Sequence, residues 1–175
     1  MYMEKGLDTG DMIDKAEVVL DKKETAGSLH DKLMVLGADL LLETLKKLED
    51  GTAVREKQND EESCYAKMLS KDMGQIDFTK SAREIECLIR GMNPWPSAYT
   101  ALDGKTMKVW EADVLDAQSK EEPGTIVEVT KKEIIVATGS HDLALHEIQL
   151  AGKKRMQVQA FLLGYQVEAG TKLGE

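Results

Sequence analysis

Two prolines bracket Trp95 in the run Gly91-Met92-Asn93-Pro94-Trp95-Pro96-Ser97-Ala98-Tyr99-Thr100. The run follows an amphipathic helical pattern and precedes a series of short strand patterns. Each proline fixes its own φ near about −65° and pushes the residue before it toward extended geometry. The chain therefore makes a rigid turn at a helix-to-sheet junction and holds an indole there. By chemistry alone that indole is expected as a core anchor.

Downstream of the turn, apolar residues alternate at period two. The pattern predicts strands over 106–110, 112–115, 125–129, 133–138 and 143–150. Leu102-Asp103-Gly104, Pro123-Gly124, Thr130-Lys131-Lys132 and Gly139-Ser140 supply the turns between them. Five or six strands of this length suggest a small closed or partly open barrel. Residues 160–163 read as a helical turn, and 165–173 as a segment that closes the sheet.

Upstream, Leu29, Leu33, Leu36, Leu40, Leu41, Leu45 and Leu48 recur at helical spacing and mark one apolar face. Thr25 or Ser28 can cap that helix, Lys46 and Lys47 suit its C-terminal dipole, and Gly51 stops it. A second helix, capped by Thr79 or Ser81, carries Ile85, Leu88, Ile89 and Met92 on one side. Before the first helix, Met1-Tyr2-Met3 reads as the tail of a strand and 12–20 as another. Residues 52–63 are charged and lack periodicity, so they read as a solvated linker.

The 175 residues are 42% hydrophobic and 31% charged, within the globular range. Net charge is −9, which argues against non-specific coating of nucleic acid. The charge is uneven, however. Residues 1–66 hold 16 Asp/Glu against 9 Lys/Arg, and residues 67–175 hold 16 against 14. A nearly neutral second half can still present a basic face. Cys64 and Cys87 fit no metal or redox spacing and are expected as reduced thiols of a soluble cytoplasmic protein. No apolar run approaches the roughly 20 residues that span a bilayer. The nine methionines are scattered and read as core filler.

Two further segments carry chemistry. In Gly6-Leu7-Asp8-Thr9-Gly10-Asp11-Met12, two glycines permit positive φ and close approach around Asp8, whose carboxylate could relay a proton. By itself such a segment is more often a plain turn. Gly152-Lys153-Lys154-Arg155-Met156 places three cations in a row, which reads either as a solvated loop or as a phosphate-binding one. Lys105, Lys108, Lys131 and Lys132 are further cations on predicted strands and turns. The aromatics Trp95, Tyr99, Trp110, Phe161 and Tyr165 are few, which favours contact with the backbone of a folded RNA over base stacking.

In this order and spacing, the Gly-Leu-Asp-Thr-Gly-Asp-Met segment, the Pro-Trp-Pro turn and the Gly-Lys-Lys-Arg-Met loop resemble the second half of the methionyl-tRNA formyltransferases. So does the run Tyr65–Phe78, which looks like the opening of that family's C-terminal domain. The resemblance implies an α+β, mainly β chain: residues 1–52 as the remnant of a Rossmann-like α/β formyltransferase domain, 53–66 as linker, and 67–175 as a small OB-like β-barrel domain. It implies that the whole enzyme uses 10-formyltetrahydrofolate as co-substrate, without a metal, to formylate the amino group of initiator methionyl-tRNA. Asp8 matches the family's catalytic aspartate, which works with an asparagine and a histidine that have no counterpart here. His30, His141 and His146 are not placed to serve Asp8 and are expected at the surface or half-buried.

The chain is therefore expected to lack turnover and to contribute tRNA binding, with Lys105, Lys108, Lys131, Lys132, Lys153, Lys154 and Arg155 as the candidate contacts. No DNA or membrane partner is expected. Self-association through the truncated sheet edge is. The alternatives are a family member acting on a sugar-nucleotide amine, or a non-catalytic module that docks tRNA or protein.

Overall fold

Thr25 opens the longest helix, α1 (Ala26–Glu49), in a computed structural model that describes residues 1–174. The Thr25 hydroxyl accepts from Ser28 N at 3.1 Å, and Ser28 Oγ accepts from Thr25 N at 3.0 Å. This reciprocal cap satisfies two otherwise unpaired donors and selects Thr25 over Ser28 as the N-cap. Lys46 and Lys47 occupy the last turn, and Gly51 follows at φ 67, the left-handed position that glycine adopts without steric cost.

α1 belongs to the first of two units, Met1–Met68 and Leu69–Glu175. In the first unit no residue of α1 is buried: Leu33, Leu41, Leu42 and Leu45 are 47–61% exposed. The leucine periodicity is present, but Leu29, Leu36 and Leu40 are only partly covered. The strand expected over 12–20 does not form. Met12 makes one isolated bridge to Glu56, and 13–20 have no ladder partner. Met1-Tyr2-Met3 is likewise no strand, although Tyr2 N donates to Asp11 O at 2.8 Å. Alternating side chains make a strand only when a neighbouring strand supplies hydrogen bonds. Asp14 instead ties this segment to α1, accepting from Thr44 Oγ1 at 2.8 Å and Lys47 Nζ at 2.6 Å.

The second unit is one six-stranded antiparallel sheet with two helices. Its elements are α2 (Ala82–Gly91), β1 (Ala98–Leu102), β2 (Lys105–Val114), β3 (Ile126–Val129), β4 (Ile134–Ala137), β5 (Asp142–Leu150), β6 (Met156–Gln157) and α3 (Val158–Leu162). The path runs β1-β2-β5-β4-β3, with β6 paired to β5. Ser81, not Thr79, caps α2 through a second reciprocal box with Glu84. Ile85 and Ile89 of α2 are almost fully buried in a core with Met107, Val109, Leu143, Leu145 and Ile148.

Two sequence expectations are corrected here. A single strand, β2 (Lys105–Val114), runs where two were expected over 106–110 and 112–115. A β-bulge at Val109–Ala112 interrupts the alternation, which is what an extra residue in one strand does. A strand not expected, β1, forms a hairpin with β2 through Asp103 (φ 50) and Gly104 (φ 68), the mirror-image turn that suits a two-residue connection. Residues 165–173 add no strand. Thr125 nevertheless bridges Lys172 beside β3, and Gly174 N donates to Ala101 O of β1 at 2.9 Å, so the C-terminal segment bonds to both ends of the sheet path.

The largest correction concerns Trp95. Both Asn93–Pro94 and Trp95–Pro96 are cis, and the indole is 55% exposed, whereas Pro96, Ser97 and Ala98 are buried. The turn is anchored by its backbone and small residues. Gly74 packs so closely on this turn that a Cβ there would stand 2.3 Å from Ser97 O.

Candidate functional site

Two groups of residues bear on function, one in each unit. In the first, Asp8 sits in the left-handed region at φ 53 with an exposed side chain. The flanking glycines play a different part from the one expected. Neither Gly6 nor Gly10 has positive φ; Gly10 is needed because a Cβ would lie 1.8 Å from Tyr2 O. The residue in the glycine-like conformation is Asp8 itself, and aspartate tolerates that region better than most side chains.

Gln58 holds this loop. Its Nε2 donates to Asp8 O at 2.8 Å and to Gly10 O at 2.7 Å. Residues 53–59, read from sequence as linker, are thus bonded to the N-terminal loop, with Arg55 also stacked 3.8 Å from the centroid of the Tyr2 ring. Gln58 has no local sequence signal, because its role depends on a partner far away in the chain. A cavity of about 460 Å³ opens beside Asp8, lined by Leu7, Thr9, Gln58, Asp60, Cys64 and Tyr65 among others. Its lining contains two carboxylates and no cation. His30, in the same unit, is exposed on α1 and paired with Asp31 at 3.2 Å.

In the second unit, antiparallel pairing sends several of the sequence-selected cations to one end of the sheet. Met107 faces Leu150, so Lys105 at the start of β2 and Lys153-Lys154 after β5 flank the same end. Ala151 N donates to Thr106 O at 2.8 Å and joins the two segments. Lys131 and Lys132 lie on the β3–β4 turn. Because Ile134 pairs with Leu145, they point the same way but stand across β5 from the others. All five are exposed.

Lys108 and Arg155 differ from these five. The bulge leaves Trp110 without a cross-strand partner, and its ring lies on the outer face between two cations. Lys108 Nζ is 5.5 Å from the ring centroid and Arg155 Cζ 4.5 Å. Cation–π contacts at such distances contribute on the order of 0.5–2 kcal/mol. Arg155 also forms an ion pair with Glu147, whose side chain is 18% exposed. Trp110 Nε1 is buried with no hydrogen-bond partner among the described residues.

His146 is half-buried between Asp113 (3.1 Å) and Glu133 (3.8 Å), and His141 is exposed beside Ser140. Among the described residues no three His, Cys, Asp or Glu side chains converge as metal ligands, and no helix is long and apolar enough to cross a membrane.

Comparison with known proteins covers both units. Residues 68–166 match the family described as formyl transferase, C-terminal domain. The whole chain is similar to methionyl-tRNA formyltransferases. It is 53% identical over 174 residues to that of Clostridioides difficile, covering 99% of this chain and 56% of the relative. It is 54% identical over 171 residues to that of Agathobacter rectalis, covering 98% and 55%. The chain thus spans little more than half the length of the curated relatives it matches.

Among solved structures, the fold resembles HypX from Aquifex aeolicus in complex with tetrahydrofolic acid (TM-score 0.62, 14% identity, 96% of this chain and 32% of that one). It also resembles the N-formyltransferase of Helicobacter canadensis solved with folinic acid and dTDP-3-aminofucose (TM-score 0.62, 18% identity, 82% and 52%). At these identities the likeness concerns the fold alone.

Proposed function

The chain belongs to the formyl transferase family through its C-terminal domain, and we propose that it is the C-terminal portion of a cytoplasmic methionyl-tRNA formyltransferase whose contribution is to bind initiator tRNA. The observation that carries this reading is the similarity to methionyl-tRNA formyltransferases across both units, not the barrel region alone. In the proposed reaction the methionine amine attacks the formyl carbon of 10-formyltetrahydrofolate, and tetrahydrofolate leaves from the tetrahedral adduct. Asp8 is the residue of this chain that would accept the proton released by the attacking amine.

The formyl group must reach Asp8, but the rest of the folate is held elsewhere. Its glutamate tail is anionic, and the cavity beside Asp8 offers carboxylates rather than cations. Binding the nucleic acid falls to the second unit, which we read as an OB-like barrel. The bonds from 170–174 to the β1 and β3 regions support closure of that sheet. The lysines at one end and the Lys108–Trp110–Arg155 stack supply charge for phosphates. The first unit is read as the last part of a Rossmann-like domain, which accounts for a leucine-rich α1 with no buried residue.

The test is a titration of this chain with initiator methionyl-tRNA from low to moderate salt. Micromolar or tighter binding, with log K falling linearly against log salt, supports the reading. No binding at low salt, together with binding of a dTDP-linked amino sugar, overturns it in favour of a sugar-nucleotide acceptor.

A further inference from the structure

We propose that Trp95 is an RNA-stacking residue: the rigid turn that carries it, together with the outer face of β1, β2 and β5, receives an unpaired nucleotide whose flanking phosphates lie along Lys108 and Arg155. The inference rests on the RNA-binding reading of this unit and adds a residue that cation patterns do not reveal. The observation behind it is that a large aromatic flanked by two prolines is 55% exposed while its neighbours Pro96, Ser97 and Ala98 are buried. The backbone of the turn is secured on both sides. Ser97 N donates to Met92 O at 2.8 Å, and Asn93 Nδ2 donates to Trp110 O at 3.3 Å. A ring projected from a fixed backbone loses little further entropy when it binds a flat partner.

Placement selects the partner. β1 begins at Ala98, paired to Val109, so Trp110 O lies beyond the end of the β1 ladder and is taken by Asn93 instead. The Trp95 turn therefore adjoins the strand position whose outer face carries Lys108, Trp110 and Arg155. Tyr99 pairs with Lys108, and Lys108 with Gln149, which puts these three side chains on the same outer face. An exposed indole beside a row of cations and polar groups is the combination that single-stranded nucleic acid uses, with bases on aromatic faces and phosphates on cations. An apolar protein partner would desolvate Lys108, which forms no ion pair among the described residues, without compensation.

The experiment titrates this chain with an initiator tRNA transcript and, separately, with a short single-stranded oligoadenylate. Affinity, salt slope and tryptophan emission are followed for each. The chain has two tryptophans, so Trp95→Phe leaves Trp110 as the only indole emitter. Trp95→Ala is expected to weaken both RNAs about tenfold with an unchanged salt slope. Trp95→Phe restores most of the affinity, and Lys108→Ala lowers the slope by about one. RNA is expected to quench wild-type emission more strongly than that of Trp95→Phe, in which only Trp110 beside Lys108 and Arg155 reports.

Wild-type affinity in Trp95→Ala, or quenching as strong in Trp95→Phe as in the wild type, overturns the proposal and points to a protein contact at the turn. Binding of oligoadenylate through Trp95 without binding of the tRNA supports the stacking role and sinks the initiator-tRNA reading. Failure to bind either RNA at low salt overturns the stacking role and leaves the family membership standing.

Discussion

At the scale of single residues, the Asp8 loop sets backbone comfort against function. Asp8 occupies φ 53, where a side chain is strained by roughly 1–2 kcal/mol relative to glycine. Asp8→Gly is therefore expected to raise the stability of the first unit by about 1 kcal/mol, read as a higher urea midpoint in circular dichroism. Gly10→Ala acts in the opposite direction. Its Cβ would meet Tyr2 O at 1.8 Å, so the loop must move, at a cost of about 1–3 kcal/mol. A gain from one substitution and a loss from the other, two residues apart, is not a result that general loop flexibility gives. Equal midpoints for the two variants would rule out this account of the loop.

Among the helices, α1 and α2 have similar caps and opposite fates. α2 buries Ile85 and Ile89, and it holds Glu86 at 3% exposure between Arg83 (3.0 Å) and Arg90 (2.6 Å). Ile89→Ala should destabilise the second unit by about 3 kcal/mol through lost burial and a cavity, measured by chemical denaturation. α1 depends on its first turn. Hydrogen bonds from Lys32 and Ser28 hold the Glu24 carboxyl at about 2, well below its ordinary 4.5. Asp14 is held low in the same way by Lys47 and Thr44. A carboxyl depressed in the folded state contributes stability above its unfolded value and loses it as pH falls through the folded one. The start of α1 is therefore expected to loosen between pH 4.5 and about 2. Glu24→Gln should show a weaker start to α1 at neutral pH and little further change down to pH about 2. Amide exchange at 25–32 as a function of pH checks this.

For the molecule as a whole, apolar surface is the dominant feature. Leu33, Leu41, Leu42, Leu45 and Leu48 stand at 40–61% exposure along one helix, and exposed apolar groups collected on one element mark an interaction surface. Self-association is the expected consequence. Light scattering should show mass rising with concentration, and Leu41→Gln combined with Leu45→Gln should lower it without loss of helical content. A constant monomer mass across the range would rule this out. The same exposure explains which expectations about the first unit failed. The α1 leucines keep their period because it is written in local spacing, but the strand over 12–20 needed hydrogen-bonding neighbours that residues 1–68 do not supply.

Local chemistry determined a good deal of this protein from sequence alone. Thr25 or Ser28 and Thr79 or Ser81 mark the starts of the two main helices, of which the structure selects Thr25 and Ser81, Leu102-Asp103-Gly104 marks a turn, and period-two alternation locates β3, β4 and β5 to within a residue or two. These signals act over a few residues, so the sequence displays them directly. Motif order also identified the family. The tertiary structure decided whatever depends on distant partners: Gln58 on the Asp8 loop, Arg155 on the face of Trp110, and the path β1-β2-β5-β4-β3 that sends Lys105 and Lys153 to one end. It also reversed the role of Trp95. Prolines on either side of an aromatic make the turn rigid, but which way the ring points depends on what packs beneath the turn. Here Pro96, Ser97 and Ala98 are buried and the indole is more than half exposed.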